Sequence, residues 1–274
     1  RDDKVVTGWN AMAVTALAEA GAALDHPDWV ELAVEVLTEL VDTHLVDGQL
    51  RRSSLGGIVG VPVAALDDHA ALVTAMLTVC QVTGETSWCD KGLALLDSTI
   101  ETFADPDETG AWFDAAEGTL IARPRDPADG ATPSGASLVA EATLVASALA
   151  RMGPATRYAS IVDETLTRGS VLLAKVPRSA GHWLAVAEAR RDGPIQVAIA
   201  EDSRSSGELA TAARRLAPGG AIVVSGARDS QPLLDGRGPV KGHDAAYVCR
   251  GAVCDLPVVN ANDLAAALTR EVAN

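Results

Sequence analysis

The stretch Leu66–Gly84, LDDHAALVTAMLTVCQVTG, decides how this chain folds. An acidic pair opens it, apolar side chains recur at helical spacing, and a glycine closes it. Residues 87–104, SWCDKGLALLDSTIETFA, follow as a second helical stretch. The same plan occurs on either side. WNAMAVTALAEAG (9–21) precedes DWVELAVEVLTELVDTHL (28–45), and GASLVAEATLVASALARMG (135–153) precedes RYASIVDETLTRGSVLLAKV (157–176). In the second of each pair the apolar positions fall on one face, as Val30, Ala33, Val34, Leu37 and Val41 do. Each first helix is expected to stop at its glycine, Gly21, Gly84 or Gly153, where the chain turns through positive φ. Each second helix is expected to begin near an aromatic residue: Trp29, Trp88 or Tyr158. The pattern is an array of three helical hairpins.

Links within a hairpin are short. Those between hairpins, about 45–65 and 105–134, are long, and long loops in compact domains usually carry function or act as linkers. Both contain strand-like pieces, GAWFDAAEGTLIARP (110–124) being the clearer. Polar residues gather where the chain enters each first helix: Asp2, Asp3, Lys4, Trp9 and Asn10; Asp67, Asp68 and His69; Asp129, Ser134 and Ser137. If the hairpins pack side by side, these clusters share one rim, which is the expected site. From about residue 193 the pattern changes. PIQVAIAED reads as a strand, SSGELATAARRLAPGG as a helix and AIVVSGA as a second strand. AAYVCRGAVCDLPV gives one or two more strands, and ANDLAAALTREVA a closing helix. The expected fold is mainly α, with a helical-hairpin domain over 1–190 and a small α/β unit over 191–274.

Hydrophobic residues make up 48% of the 274, enough for one large core or two modest ones, but aromatics are only 3%. Ala, Val and Leu must therefore do most of the packing. Acidic residues outnumber basic ones 37 to 22, a net charge of −15, and no basic stripe with interleaved aromatics is present. A nucleic-acid partner is not expected. Neither is a membrane span, since no apolar run is long enough. There is no G-x-G-x-x-G or P-loop, so no cofactor is expected. Cys249 and Cys254 form a C-x4-C pair without a second pair or spaced histidines, which argues against zinc. Cys80 reads as a small core residue, and Cys249 and Cys254 as a reduced cytosolic pair with a redox role open.

DDKVVTGWN (2–10), ALDDHAALV (65–73), GAWFD (110–114), LIARPRDPADGATPSGASL (120–138), PLLDGRGP (232–239) and AYVCRGAVC (246–254) span nearly the whole chain. In these motifs and their order the sequence resembles the C-terminal part of the spermatogenesis-associated, thioredoxin-domain-containing family. The resemblance implies an (α/α)6 toroid akin to N-acylglucosamine 2-epimerases and six-hairpin glycosidases, of which three hairpins are half. It also implies a thioredoxin-like domain that is not in this stretch, so that DDKVVTGWN is expected to be a mid-barrel segment. The chain departs from the family pattern at His69, where Tyr is usual, and at Ala136, where Asn is usual. Both changes remove a polar group.

That frame gives the polar residues two readings each. Asp67 and Asp68 diverge by about 100° on a helix and cannot flank one bond together. Asp3 or Asp129 from a neighbouring hairpin would supply the second carboxyl of a sugar hydrolase, or the pair simply caps a helix. His69 is an acid–base candidate or a packed side chain. Trp9 and Trp112 would stack on sugar rings or fill core. Arg123 and Arg125 would grip an anion or balance surface acids. Lys4, Asn10 and Ser134 complete the candidate substrate contacts, with Ser134 also suited to start a helix. The expected function is binding of, or chemistry on, a carbohydrate at the toroid rim, in the cytoplasm. The alternative is a non-catalytic scaffold. Uncovered apolar edges are expected to drive self-association.

Overall fold

The computed structural model describes residues 2–118, 121–191, 193–251 and 253–270. Six helices pair into three hairpins: α1 (Thr7–Leu24) with α2 (Pro27–His44), α3 (Leu66–Thr83) with α4 (Thr86–Phe103), and α5 (Gly135–Leu149) with α6 (Met152–Lys175). Helix α3 sits between α1 and α5 and also packs on α4. After its first turn it carries no charged side chain, and almost every residue from Ala70 to Gln81 is buried. A helix apolar all round belongs inside, and α3 forms the axis of the bundle.

The turns follow the expected pattern once in three. Gly84 does end α3 in the left-handed region (φ 75°), its N–H bonded to Cys80 O. Helix α1 instead runs past Gly21 and turns at Asp25 (φ 61°). Gly21 is small for another reason: a Cβ there would lie 2.9 Å from His26 O and from Val30 Cγ2 of the returning helix. Helix α5 ends at Leu149, and Gly153 lies in the first turn of α6, well ahead of Tyr158.

Among the hairpins, most strands form in the first connection. β1 (Lys4–Val6) pairs antiparallel with β4 (Ser53–Leu55), which pairs with β5 (Ile58–Val59), while β2 (Leu45–Val46) and β3 (Gln49–Leu50) make a small hairpin. A buried polar chain fastens this layer to α1 and α2. The Thr7 hydroxyl donates to Arg51 O (2.6 Å), so His44 Nδ1 must carry the proton it shares with Thr7 Oγ1 (2.6 Å). His44 Nε2 then accepts from Ser54 Oγ at 2.9 Å. Burial lowers the His44 pKa, in keeping with a neutral ring. The second connection, expected to hold the clearer strand, has among its described residues only an isolated bridge, Ala104 to Trp112. Thr119 and Leu120 of that stretch lie outside the described residues.

After α6 comes α7 (Gly181–Arg191), which the sequence reading did not anticipate. Then β6 (Ile195–Ala200), α8 (Glu208–Leu216) and β7 (Ile222–Gly226) form the expected parallel crossover. β8 (Ala245–Arg250) and β9 (Val253–Cys254) complete a sheet of order β7-β6-β8-β9, covered by α9 (Ala261–Leu268). The expected continuation of α9 over 271–273 lies outside the described residues. Alternate residues of β6 serve two cores. Ala198 and Ala200 pack with Val73, Leu77, Ala142 and Ala146 of the hairpin helices, whereas Val197 and Ile199 pack with Leu209, Ala213 and Leu264. The structure is thus mainly α with a small α/β part.

The cysteines correct the expectation of free thiols. Cys80 and Cys89 are joined in a disulfide, as are Cys249 and Cys254. The tight turn at Gly84 sets the last turn of α3 against the first of α4, bringing the first pair to a Cα separation of 5.5 Å. Antiparallel pairing of β8 and β9 places the second pair directly opposite each other. Among the described residues no helix is long and apolar enough to cross a membrane, and no three His, Cys, Asp or Glu side chains are grouped to hold a metal ion.

The two displaced glycines are expected to respond oppositely to Ala. Gly21→Ala forces a methyl against backbone and should cost about 1–3 kcal/mol. Gly153→Ala meets nothing within 4 Å and should gain up to about 1 kcal/mol from helix propensity. Urea denaturation of both variants measures the contrast.

Candidate functional site

The helix N-termini do meet at one rim. A Cβ on Gly8 would lie 3.0 Å from Asp68 Oδ1, and one on Gly135 would lie 2.9 Å from Leu66 Cγ. Glycine at those positions lets α1, α3 and α5 approach closely. The chemistry of the rim is spent on the fold. Asp68 is fully buried and accepts from Gly8 N (2.9 Å), Ala65 N (3.0 Å) and Arg52 Nη1 (2.7 Å). Arg52 also reaches Asp67 Oδ1 at 3.3 Å. Burial and then Asp67 push the Asp68 carboxyl up to about 6, with the Ala65, Arg52 and Gly8 bonds holding it from rising further. His69 shares a hydrogen bond with Thr99 Oγ1 (3.3 Å) and stands edge-on to Phe103; burial lowers its pKa to about 4, against the pull of Asp67.

The other candidates are similarly committed or lie apart. Asp129 Oδ1 accepts from Ser134 N (3.0 Å) and Ser137 Oγ (2.9 Å), and its Oδ2 accepts from His182 N (2.9 Å), so one carboxylate caps α5 and α7. Ser134 Oγ accepts from Ser137 N as the cap of α5. Trp112 is buried and donates to Thr165 Oγ1 (3.1 Å). Arg123 stacks on Phe113 and donates to Ala115 O and Thr102 O, both at 2.8 Å. Arg125 pairs with Asp105 and Glu108. Asn10 donates to Val6 O, and Lys4 pairs with Asp2. Asp3 and Trp9 are exposed, Trp9 at 63%.

A different set of polar groups converges along the flank of α1, α3 and α5. One face of α1 presents Ala16, Glu19, Ala20 and Ala23, and α3 presents Thr74, Thr78 and Gln81. With Glu141 of α5 they line a groove of about 610 Å³ whose end is closed by Arg214 of α8 and the turn Pro218–Ala221. An adjoining cavity of about 430 Å³ shares Glu141 and that turn and adds His182 of α7. Small residues set its width, since Ala on α1 leaves the space that a larger side chain would fill.

The electrostatics of this groove are uneven. His182 Nε2 faces Glu141 Oε2 at 3.5 Å and makes no hydrogen bond among the described residues. Burial alone would lower the His182 pKa; Glu141, with Asp129 behind it, outweighs burial and raises it. Glu19 is open to solvent yet hemmed in by the groove, and this enclosure, then Glu141, raises its pKa from the ordinary value while Arg214 opposes. Arg214 donates to Gln81 O (2.7 Å) and Val223 O (3.2 Å); burial lowers its pKa to about 10, so it stays cationic at neutral pH. Thr74 Oγ1 is buried without a hydrogen-bond partner among the described residues. A carboxyl whose pKa is raised, near a Glu–His pair, brings together groups that acid–base chemistry uses.

The rim was legible as polar clusters, but this groove was not. Its signal lay in the helices themselves: Glu19 and Glu141 are the only charged residues in α1 and α5. A lone acid inside an otherwise apolar or small-residue helix marks a face that meets something polar. His182 gave no such signal, because α7 itself went unread.

Over 96% of its length the chain aligns with spermatogenesis-associated protein 20, at 24% identity with the mouse (Mus musculus) and rat (Rattus norvegicus) proteins and 23% with the human (Homo sapiens) protein. It spans about a third of the curated relatives it matches, 35% of the mouse protein and 36% of the other two. The relationship to this thioredoxin-domain-containing family, expected from the motifs, holds at low identity. No family model matches the chain.

Two variants separate fold from site. Asp68→Asn sets an amide donor among three donors and should cost about 2–3 kcal/mol by denaturant titration. Glu141→Gln removes the main group that raises the His182 pKa and leaves burial opposed only by Asp129, so the imidazole should titrate lower than in the parent. NMR titration of the His182 ring reads this. In the parent, the raised pKa contributes stability below pH 6.5 that fades as pH rises through the folded value, and Glu141→Gln should shrink that contribution.

Proposed function

We propose that this chain binds a neutral, polyhydroxylated ligand of the carbohydrate class in the groove between α1, α3 and α5, and supplies acid–base groups to it there. The observation that carries this reading is the placement of Glu19, Glu141 and His182, from three separate helices, along a groove and an adjoining cavity that share Glu141. Glu19 is the proton-bearing group in the proposal, and Glu141 the base, steadied by the His182 imidazole. Thr74, Thr78 and Gln81 would meet ligand hydroxyls. In the same reading the three hairpins form half of an (α/α)6 toroid. The remaining hairpins would come from the part of the longer relatives that this chain does not span. Exposed apolar side chains such as Leu24, Val171 and Val176 are in keeping with further helices at the array's edges. A non-catalytic scaffold is the second reading, favoured by the rim, where Asp68, Asp129 and Arg123 are committed to internal bonds.

Thermal shift against a panel of neutral monosaccharides and disaccharides tests the proposal. A ligand at a hundred times its dissociation constant should stabilise the chain by about 2.7 kcal/mol. Glu19→Gln and Glu141→Gln should each erase the shift without unfolding the chain. A panel without any shift, or a shift that survives both substitutions, sinks the groove as the binding site.

A further inference from the structure

We propose that Cys249 and Cys254 form a thiol–disulfide exchange site, opened by an external dithiol, in which Arg237 holds the thiolate that leaves. The inference is independent of the groove and its ligand.

The geometry of the β8–β9 hairpin carries it. Cys249 and Cys254 are directly opposed, with Cα atoms 3.9 Å apart. The neighbouring rung is the hydrogen-bonded one, since Asp255 N donates to Val248 O at 2.9 Å. The cysteines therefore occupy the non-bonded rung, where facing side chains stand closest. β9 is the outer strand of the sheet. Cys254 is exposed, whereas Cys249 is fully buried. A thiolate arriving from solvent can reach only one of the two sulfurs, which fixes the direction of attack.

Arg237 supplies the second observation. Its Nη2 lies 3.2 Å from Cys249 Sγ and 3.3 Å from Cys254 Sγ. Arg237 N donates to Leu234 O (3.0 Å), and the guanidinium donates to Leu233 O and lies 5.9 Å from the Tyr247 ring centroid. A neutral disulfide is a weak acceptor and gains little from a guanidinium. A thiolate in the same place becomes a charge-assisted partner. The cation is thus placed for the reduced state and for the moment of bond breaking. The other disulfide offers a contrast within the chain: Cys80 is buried and Cys89 is partly buried against the core of the second hairpin, so neither sulfur is presented as Cys254 is.

The exchange balances in two steps. A thiolate of the dithiol attacks Cys254 Sγ, forming a mixed disulfide while the S–S electron pair leaves on Cys249 Sγ beside Arg237. The second thiol of the reductant, as thiolate, then attacks its own mixed-disulfide sulfur and expels the Cys254 thiolate. The reductant closes into a disulfide, and the protons from its two thiols are available to the two cysteines. Two electrons pass to the protein, and oxidation runs the same steps backwards.

The test uses the folded chain with dithiothreitol, followed by alkylation and mass spectrometry of each cysteine. Cys249–Cys254 should open at least about tenfold faster than Cys80–Cys89. Arg237→Gln should slow opening about tenfold, and Arg237→Lys should retain most of the rate. Cys249→Ser, which leaves the exposed Cys254, should react rapidly with 5,5′-dithiobis(2-nitrobenzoate); Cys254→Ser should not. The last two variants keep the proposal testable if Arg237→Gln fails to fold. The proposal is overturned if the pair opens only in denaturant, if a folded Arg237→Gln chain opens as fast as the parent, or if Cys249 is the more reactive thiol.

Discussion

The fold depends on burying one carboxylate. Asp68 has no solvent contact, so all of its hydration must be replaced by donors brought from elsewhere in the chain. Those donors come from the start of α1, from the residue preceding α3, and from Arg52 in the first connection. Satisfying the carboxylate therefore fixes three segments at once. Gly8 makes the meeting possible, because no side chain separates the α1 backbone from the carboxylate. The hairpins then take their spacing from that contact, and Leu66 against Gly135 extends it to the third.

The same economy accounts for where chemistry can reside. Polar residues at helix starts are the obvious place to look from the sequence, yet helix starts are also where unpaired backbone N–H groups must be met. Asp68 and Asp129 are taken up by that need. The flank of the bundle has no such obligation, since α1, α3 and α5 satisfy their own backbones there. Charged groups set on that flank, Glu19 and Glu141, are free of capping duty. Glu19 feels both Glu141 and Arg214, and Glu141 faces His182.

The hairpin array was readable because its periodicity is strong and its interior is nearly all Ala, Val and Leu. Hairpin boundaries were less so. Gly21 and Gly153 look like helix ends in sequence, but one marks close helix packing and the other stands in an early helical turn. Glycine signals want of a side chain, and sequence alone does not say whether φ or crowding is the reason. The rim was legible as clusters but its bonding was not, because Arg52, the partner of Asp68, comes from a connection without helical period. Disulfide pairing was hidden likewise: Cys80 and Cys89 meet only once the turn at Gly84 has its shape. The strand and helix pattern after residue 193 was clear, with Val197–Ala200 of β6 an unbroken apolar run because both of its faces are covered.

Arg214 spans the seam between the helices and the sheet, its guanidinium bonded to Gln81 O on one side and Val223 O on the other. It is also the positive charge that restrains proton uptake by Glu19. The seating of the C-terminal sheet and the acidity of a groove side chain thus share one atom group. Any tilt of the sheet away from α3 would carry that charge off and leave Glu19 a weaker acid, so here the mechanical coupling of two layers is also a setting of proton affinity.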